Sequence, residues 1–452
     1  MTSLTFAIRT LSLCALTVLG IPAMAPIQTS FFTDAEKKAI SDYWNQDGRY
    51  IVAFPDDSDT KGIYQARQTP DGSTWLLNYY KKARGQSSKV IPGRKPEAQN
   101  DQQKEWDKWV ETKYAYDEWA ATKAAAGQNG FPVTMEHMED PGATPADIVT
   151  FAGAAPKFVD VVTPRVHRIN FEDLKAEFPD NIKVRRMYSY YRFSDGVMHV
   201  GDRMKGREKE LMPLFEKGGL SDSEYKIMAA VSILEGGFDS INTYDTGYVS
   251  VGFIQFASLS GGAGSLGQTL KTMKTREPSA YHRNFRRFGI DVTEDGKLVA
   301  LDIKTGEEKI GADAAMQIIK DRRLIAVFHR AGKLSEEYRI AQILTAKSQY
   351  FPAQDTLEVK LGDKTLKGKI GDIVKSEAGL ATLMDRKVNT GKYGDLESVL
   401  ASMALSYKVE SWEQFAPLEY EIINAMEYRD NYLERKDLSQ PAPSKATANR
   451  GK

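Results

Sequence analysis

Two acidic residues ten positions apart, Glu235 and Asp245, have the setting that acid–base chemistry needs. They lie in residues 231–256, VSILEGGFDSINTYDTGYVSVGFIQF. Glu235 follows Met228 and Val231 by seven and four positions, which places it on the apolar stripe of a helix and strips water from it. Gly236-Gly237 then end the helix and leave the carboxyl among carbonyls that lack a helical partner. Desolvation and the negative end of a helix both disfavour a carboxylate, so this residue is predicted to hold a proton near neutral pH for a leaving group. A glutamate near a helix end is ordinarily solvated; the apolar stripe sets this one apart. Asp245 falls in a Gly-rich alternating stretch, which predicts a wall of strand opposite the acid.

The elements that must position the two acids can be read locally. Ser221-Asp222-Ser223-Glu224 fits a capping box, and Ile227, Val231 and Leu234 recur at helical spacing behind it. From Ser221 to about Tyr407 the pattern stays mainly helical, with 312–330 and 336–350 the most periodic. Two short β insertions interrupt it. Asp295-Gly296 and Thr305-Gly306 punctuate the first; Leu357-Glu358-Val359 and Lys364-Thr365-Leu366 flank Gly362-Asp363 in the second. Upstream, 188–193 and 197–200 around Ser194-Asp195-Gly196 predict a hairpin.

Residues 235–256 resemble the active-site segment of the lysozyme-like superfamily. Ser250-Val251-Gly252-Phe253-Ile254-Gln255 is similar to the G-L-M-Q stretch after the catalytic glutamate of goose-type lysozymes and lytic transglycosylases. Asp245, Ser250 and Gly252 keep the D-x-x-x-x-S/T-x-G spacing of inverting chitosanases, whose Gly-rich turn Gly262-Ala263-Gly264-Ser265-Leu266 also resembles. The chain departs from both patterns. Its linker between the acids is shorter than in those chitosanases, and Gly236 stands where the transglycosylases carry serine. The resemblance covers about 40 residues, and more loosely the helical region to about residue 405.

The resemblance implies a mainly α (α+β) fold, with a lysozyme-like helical catalytic domain carrying small β-hairpin insertions over 156–437 behind a β-rich lead-in. It implies a secreted or periplasmic glycosidase that cleaves β-1,4 bonds of an amino-sugar polymer, peptidoglycan ahead of chitosan, without a cofactor. Glu235 would protonate the glycosidic oxygen. Asp245 would either activate water from the opposite face, which gives inversion and needs carboxyls about 6.5–9.5 Å apart, or merely cap the turn before Gly247. In the second case the substrate's own acetamido or hydroxyl group would close the product. Ser250, Gly252 and Gln255, with Asn242 and Tyr244, are candidates to contact sugar, ordinary strand and turn bonding being the alternative for Ser250 and Gln255. A non-catalytic cell-wall-binding protein of the same fold is the rival from another class, and the presence of both acids argues against it.

The rest of the chain sets the frame. Its 452 residues, 41 % of them apolar, suit two to three domains. Equal counts of 61 basic and 61 acidic residues imply neither a nucleic-acid partner nor an anionic membrane surface. Arg9, an apolar run from Leu11 to Leu19 and Ala23-Met24-Ala25 make 1–25 read as a cleavable secretory signal, its apolar run being short for a membrane span. Cys14, the only cysteine, lies inside it, so the mature chain would hold no disulfide and no thiol nucleophile.

Residues 26–155 predict a helical N-terminal region of unassigned role. Thr33-Asp34-Ala35-Glu36 opens one helix, Trp75-Leu76-Leu77 with Tyr79-Tyr80 packs a second, and Trp106, Trp109, Lys113, Tyr116 and Ala120 form a stripe on a third. That stripe reads as packing, with sugar stacking as the alternative. The proline-bearing stretch 127–156 reads as a linker and 438–452 as a disordered tail. Five histidines, at 137, 167, 199, 282 and 329, lack H-x-x-x-H or H-x-H spacing, so no metal site is predicted; His137 among Glu136, Glu139 and Asp140 reads as a solvated acidic segment. Gly261-Gly262-Ala263-Gly264 lacks the Lys-Ser/Thr of a nucleotide loop, and no G-x-S-x-G elbow occurs. Ser376-Glu377 and Asp385-Arg386 read as a cap or structural ion pair.

Overall fold

The computed structural model describes residues 30–54, 63–84, 98, 100–131, 134–180, 182, 184–426 and 429–443. The leader read over 1–25, with Cys14, lies outside them, as does 444–452. The chain is mixed α and β with a helical majority, about 50 % helix and 14 % strand. No helix among the described residues is long and apolar enough to cross a membrane.

Two buried apolar cores divide the chain, and the division differs from the boundary expected at 155. The capping box at Thr33 and Glu36 forms as predicted and starts the helix Asp34–Trp44, but Ile40 and Trp44 pack into the larger core against Phe171 and Phe288. The strand Tyr50–Ala53 then pairs antiparallel with Val166–Asn170, which pairs with Lys175–Pro179. Between those two partners lies a smaller unit. Its helices Pro70–Arg84 and Asp101–Gln128 bury Trp75, Leu76, Tyr79, Tyr80 and Tyr114, beside the strand pair Gln65–Gln68 and Val159–Val162. Strand pairing between residues more than 110 positions apart sets this boundary, and local composition carries no trace of it.

On the helix Asp101–Gln128 the buried face runs through Gln103, Asp107, Val110, Tyr114 and Asp117, one position off the predicted tryptophan stripe. Trp106 instead covers Phe151 and donates to Asp147 Oδ2, so the stretch read as a linker contains a helix, Ala146–Ala152, docked on that flank.

The larger core holds the remaining helices and sheets. The capping box at Ser221 and Glu224 starts the helix Asp222–Ser232. The first β insertion is three strands, Ile290–Val292, Leu298–Leu301 and Glu308–Ile310; the second is the hairpin Thr356–Leu361 and Lys364–Lys369, turning at Gly362-Asp363 as predicted. The helix predicted over 312–330 is two, Ala312–Lys320 and Arg322–Leu334, because Asp321 turns its carboxylate onto Arg323 and caps the second.

Two further predictions are corrected. The hairpin over 188–200 does not form, since both arms bond to the segment after Glu235 and not to each other. Arg192 N and Phe193 N donate to Tyr244 O, Tyr191 bridges Asp245, and Thr243 N donates to Val197 O. The tail does not begin at 438: Leu438 is buried, and Ser439 exchanges bonds with Glu377 at the start of the helix Glu377–Thr390.

Candidate active site

Glu235 lies just beyond its helix. The helix Asp222–Ser232 buries Ile227, Met228 and Val231, while Leu234, predicted on the same stripe, is exposed. Both Glu235 N and Gly236 N donate to Ser232 O, so that carbonyl is satisfied and adds little negative potential at the carboxyl. The glycine pair is needed by close approach of another segment. Gly237 N donates to Val200 O at 3.0 Å, a Cβ on Gly237 would lie 2.1 Å from Asp202 O, and Gly236 has φ +138°.

The carboxyl is enclosed by residues remote in sequence. Arg429 Nη2 donates to Glu235 Oε1 at 2.5 Å and also pairs with Asp385 on the helix Glu377–Thr390. Asn389, which donates to Asp385, also reaches Glu235. Burial pushes the Glu235 carboxyl up, Asp385 adds to this, and Arg429 opposes it; the net direction is upward. Asp385 is likewise raised by burial, against the pull of Arg429. One guanidinium is thus shared by two desolvated carboxyls, and a single proton brings the group to neutrality. Glu235 is the more accessible of the two, its side chain 11 % exposed against 1 % for Asp385. Asp385 pairs with Arg429, while Arg386 Nε donates to Met426 O; Ser376 caps the helix Glu377–Thr390, as its sequence predicts.

The alternating stretch after Glu235 forms part of a four-stranded antiparallel sheet in the order Met198–His199, Ile241–Asn242, Ser250–Val251, Phe256–Ala257. Asp245 sits in the turn between its second and third strands. Its Oδ1 accepts from Gly247 N at 2.8 Å and its Oδ2 from Asn242 Nδ2 at 2.7 Å. Burial raises the carboxyl, while those two bonds and the nearby Arg192 hold it down; the balance is again upward. Tyr244 packs against Tyr188 and Tyr191, and burial pushes its hydroxyl up to about 12.

The other candidates build the sheet. Gln255, at φ +53°, donates from Nε2 to Ser240 Oγ and Gly252 O, and a Cβ on Gly252 would lie 2.1 Å from Gln342 Oε1. Ser250 is buried on an inner strand and faces Gly247, where a Cβ would lie 2.4 Å from its Oγ. Ala257 N donates to Ser265 Oγ, Ser265 meets Tyr350, and the Tyr350 hydroxyl is raised by burial and by the charge of Glu235.

Arg429, Asp385, Asn389 and Arg192 are the parts of this site that the segment around Glu235 could not reveal. Arg429 is 194 residues from Glu235, and no local pattern couples them. The pockets of about 410 Å³ and 620 Å³ lie along the smaller unit, lined by Tyr114 and Arg186 and by Arg165 and Asp180 respectively, and not by either acid. Among the described residues one group has metal-ligand chemistry: His199, Asp239 and His329, drawn from three separate segments, which is why a search for local histidine spacing misses it. The residues around His137 are exposed, and its ring lies edge-on to Trp119. Comparison of the chain with known protein families, with characterised proteins and with solved structures finds no match.

Proposed function

We propose that this chain is an exported glycosidase of lysozyme-like type that cleaves β-1,4 bonds of an amino-sugar polymer, peptidoglycan ahead of chitosan, with Glu235 as the general acid. The observation that carries this reading is the trio of Glu235, Arg429 and Asp385, in which two desolvated carboxyls share one cation and burial raises the pKa of Glu235, the more accessible of the two. Because Oε1 is held by Arg429, Oε2 is the oxygen left to deliver a proton to the glycosidic oxygen. As the bond breaks, the ionised Glu235 is stabilised by the guanidinium it already contacts, so the product carboxylate costs less than it would beside Asp385 alone.

Asp245 admits two roles. Its bonds to Gly247 N and Asn242 are those of a turn cap and support a mechanism in which the substrate closes its own product. Each oxygen still has a second lone pair, so a base role in inversion is the alternative.

The test is to incubate the purified chain, Glu235→Gln and Asp245→Asn with peptidoglycan and with chitosan, and to analyse products by mass spectrometry. Glu235→Gln is expected to lower kcat by about 10²–10⁴-fold with binding retained. Anhydro ends would mark a transglycosylase and reducing ends a hydrolase. Equal turnover in Glu235→Gln overturns the acid assignment, and binding without product in the unaltered chain establishes the rival wall-binding reading. Loss of turnover in Asp245→Asn at unchanged melting temperature supports the base; retained turnover supports the cap.

A further inference from the structure

We infer that His199, Asp239 and His329 bind one divalent transition-metal cation of the zinc class. His199 ends the strand Met198–His199, Asp239 lies in the turn four residues after Glu235, and His329 lies on the helix Arg322–Leu334. One ligand atom from each falls within 4.8 Å of the others. His199 Nε2 is 3.9 Å and His329 Nδ1 is 3.5 Å from Asp239 Oδ2, and His329 Nδ1 also donates to Asp239 O at 3.2 Å, a bond it gives up on binding an ion. Tetrahedral coordination with bonds of about 2.0–2.2 Å sets ligand atoms roughly 3.3 Å apart, so closing on an ion takes small side-chain adjustments and moves the proton off His329 Nδ1.

A second observation points to a ligand here. Asp239 is 3 % exposed, and its Oδ2 is buried with no hydrogen-bond partner, although its Oδ1 is fixed by Asp202 N at 2.8 Å. Lys333 Nζ stands 3.9 Å from Oδ2, beyond hydrogen-bond reach, and binds Asp202 instead. An acceptor aimed into a group of two imidazoles is left for a cation. The surroundings are those of a built site. The two rings meet edge to face at 4.6 Å, and Phe178 closes against both. Gly201 allows the backbone to approach Asp239, since a Cβ there would lie 2.4 Å from its Oδ1. His329 is 8 % exposed and His199 36 %, so a fourth position opens on the His199 side. Two imidazoles, one carboxylate and an open position suit zinc and its neighbours over calcium or magnesium, which take oxygen ligands. A bound ion would tie the strand, the turn after Glu235 and the helix together.

The test uses Co²⁺ as the probe on the full chain stripped with chelator. Expected are one Co²⁺ per chain, visible d–d absorption that Zn²⁺ abolishes, and a rise in melting temperature with Zn²⁺. His199→Gln, chosen because His199 is the most exposed ligand, should lose absorption and shift while keeping its circular dichroism; His137→Gln should keep both. Absence of Co²⁺ absorption, or its persistence in His199→Gln, overturns the site.

Discussion

At Glu235 the deciding quantity is how one guanidinium is divided between two carboxyls. Asp385 raises the Glu235 pKa by its charge and by drawing on Arg429, so Asp385→Asn should lower it. Turnover needs protonated Glu235 and falls as pH rises through that pKa. The alkaline limb of kcat/KM against pH should therefore move to lower pH in Asp385→Asn, and a limb that stays or moves upward would show that Asp385 does not govern the proton. The direction of the Glu235 shift was legible in sequence, but its cause only in part. Burial was foreseen from Met228 and Val231; the helix end was not the second contributor, because Ser232 O is already bonded twice. The other influence that raises it, the charge of Asp385, is brought in by tertiary packing.

Local chemistry made the elements legible wherever partners were near in sequence. The boxes at Thr33 and Ser221 and the turn at Gly362-Asp363 needed only a few residues each. The arms at 188–200 failed as a hairpin because each found a better partner in 241–245. At the turn after Glu235, Gly237→Ala would drive a Cβ into Asp202 O and should cost about 1–3 kcal/mol in denaturant unfolding, with turnover reduced as Glu235 shifts; unchanged stability would mean the Val200–Asp202 backbone yields freely. On the first helix, Glu36 falls from its ordinary 4.5 to about 2, chiefly through its bond to Arg286. A depressed carboxyl contributes stability above its unfolded pKa and loses it as pH falls through the folded one. Glu36→Gln should thus destabilise by about 1 kcal/mol at neutral pH, the difference closing between pH 4.5 and 2 in thermal melts; a gap independent of pH would refute the linkage.

The whole molecule is a larger core interrupted by a smaller one, and the point of interruption makes the role of the smaller unit testable. Ala53 and Val166 face each other as a pair in one antiparallel ladder, so the chain leaves and re-enters the larger core at adjacent points. Replacing 54–165 by an Asn-Gly turn would close a tight hairpin between existing strands and should leave the larger core folded. The smaller unit is not detached from the site, however. Gln68 and Ser73 both donate to Tyr188 O, Gln68 accepts from Tyr188 N, and Arg192 reaches Ser73. Through Tyr191 and Arg192 this segment braces Tyr244 and Asp245, whereas Glu235 is held by Arg429 and Asp385 from the other end of the chain. The two acids thus lean on different parts of the molecule. Hydrogen exchange on the shortened chain should quicken at the amides of 241–248 and stay slow in the strands Ile290–Val292 and Leu298–Leu301, which touch only the larger core. Equal protection at 241–248 in both chains would mean that the Asp245 turn stands without the smaller unit, and uniform acceleration would mean that the two cores fold as one.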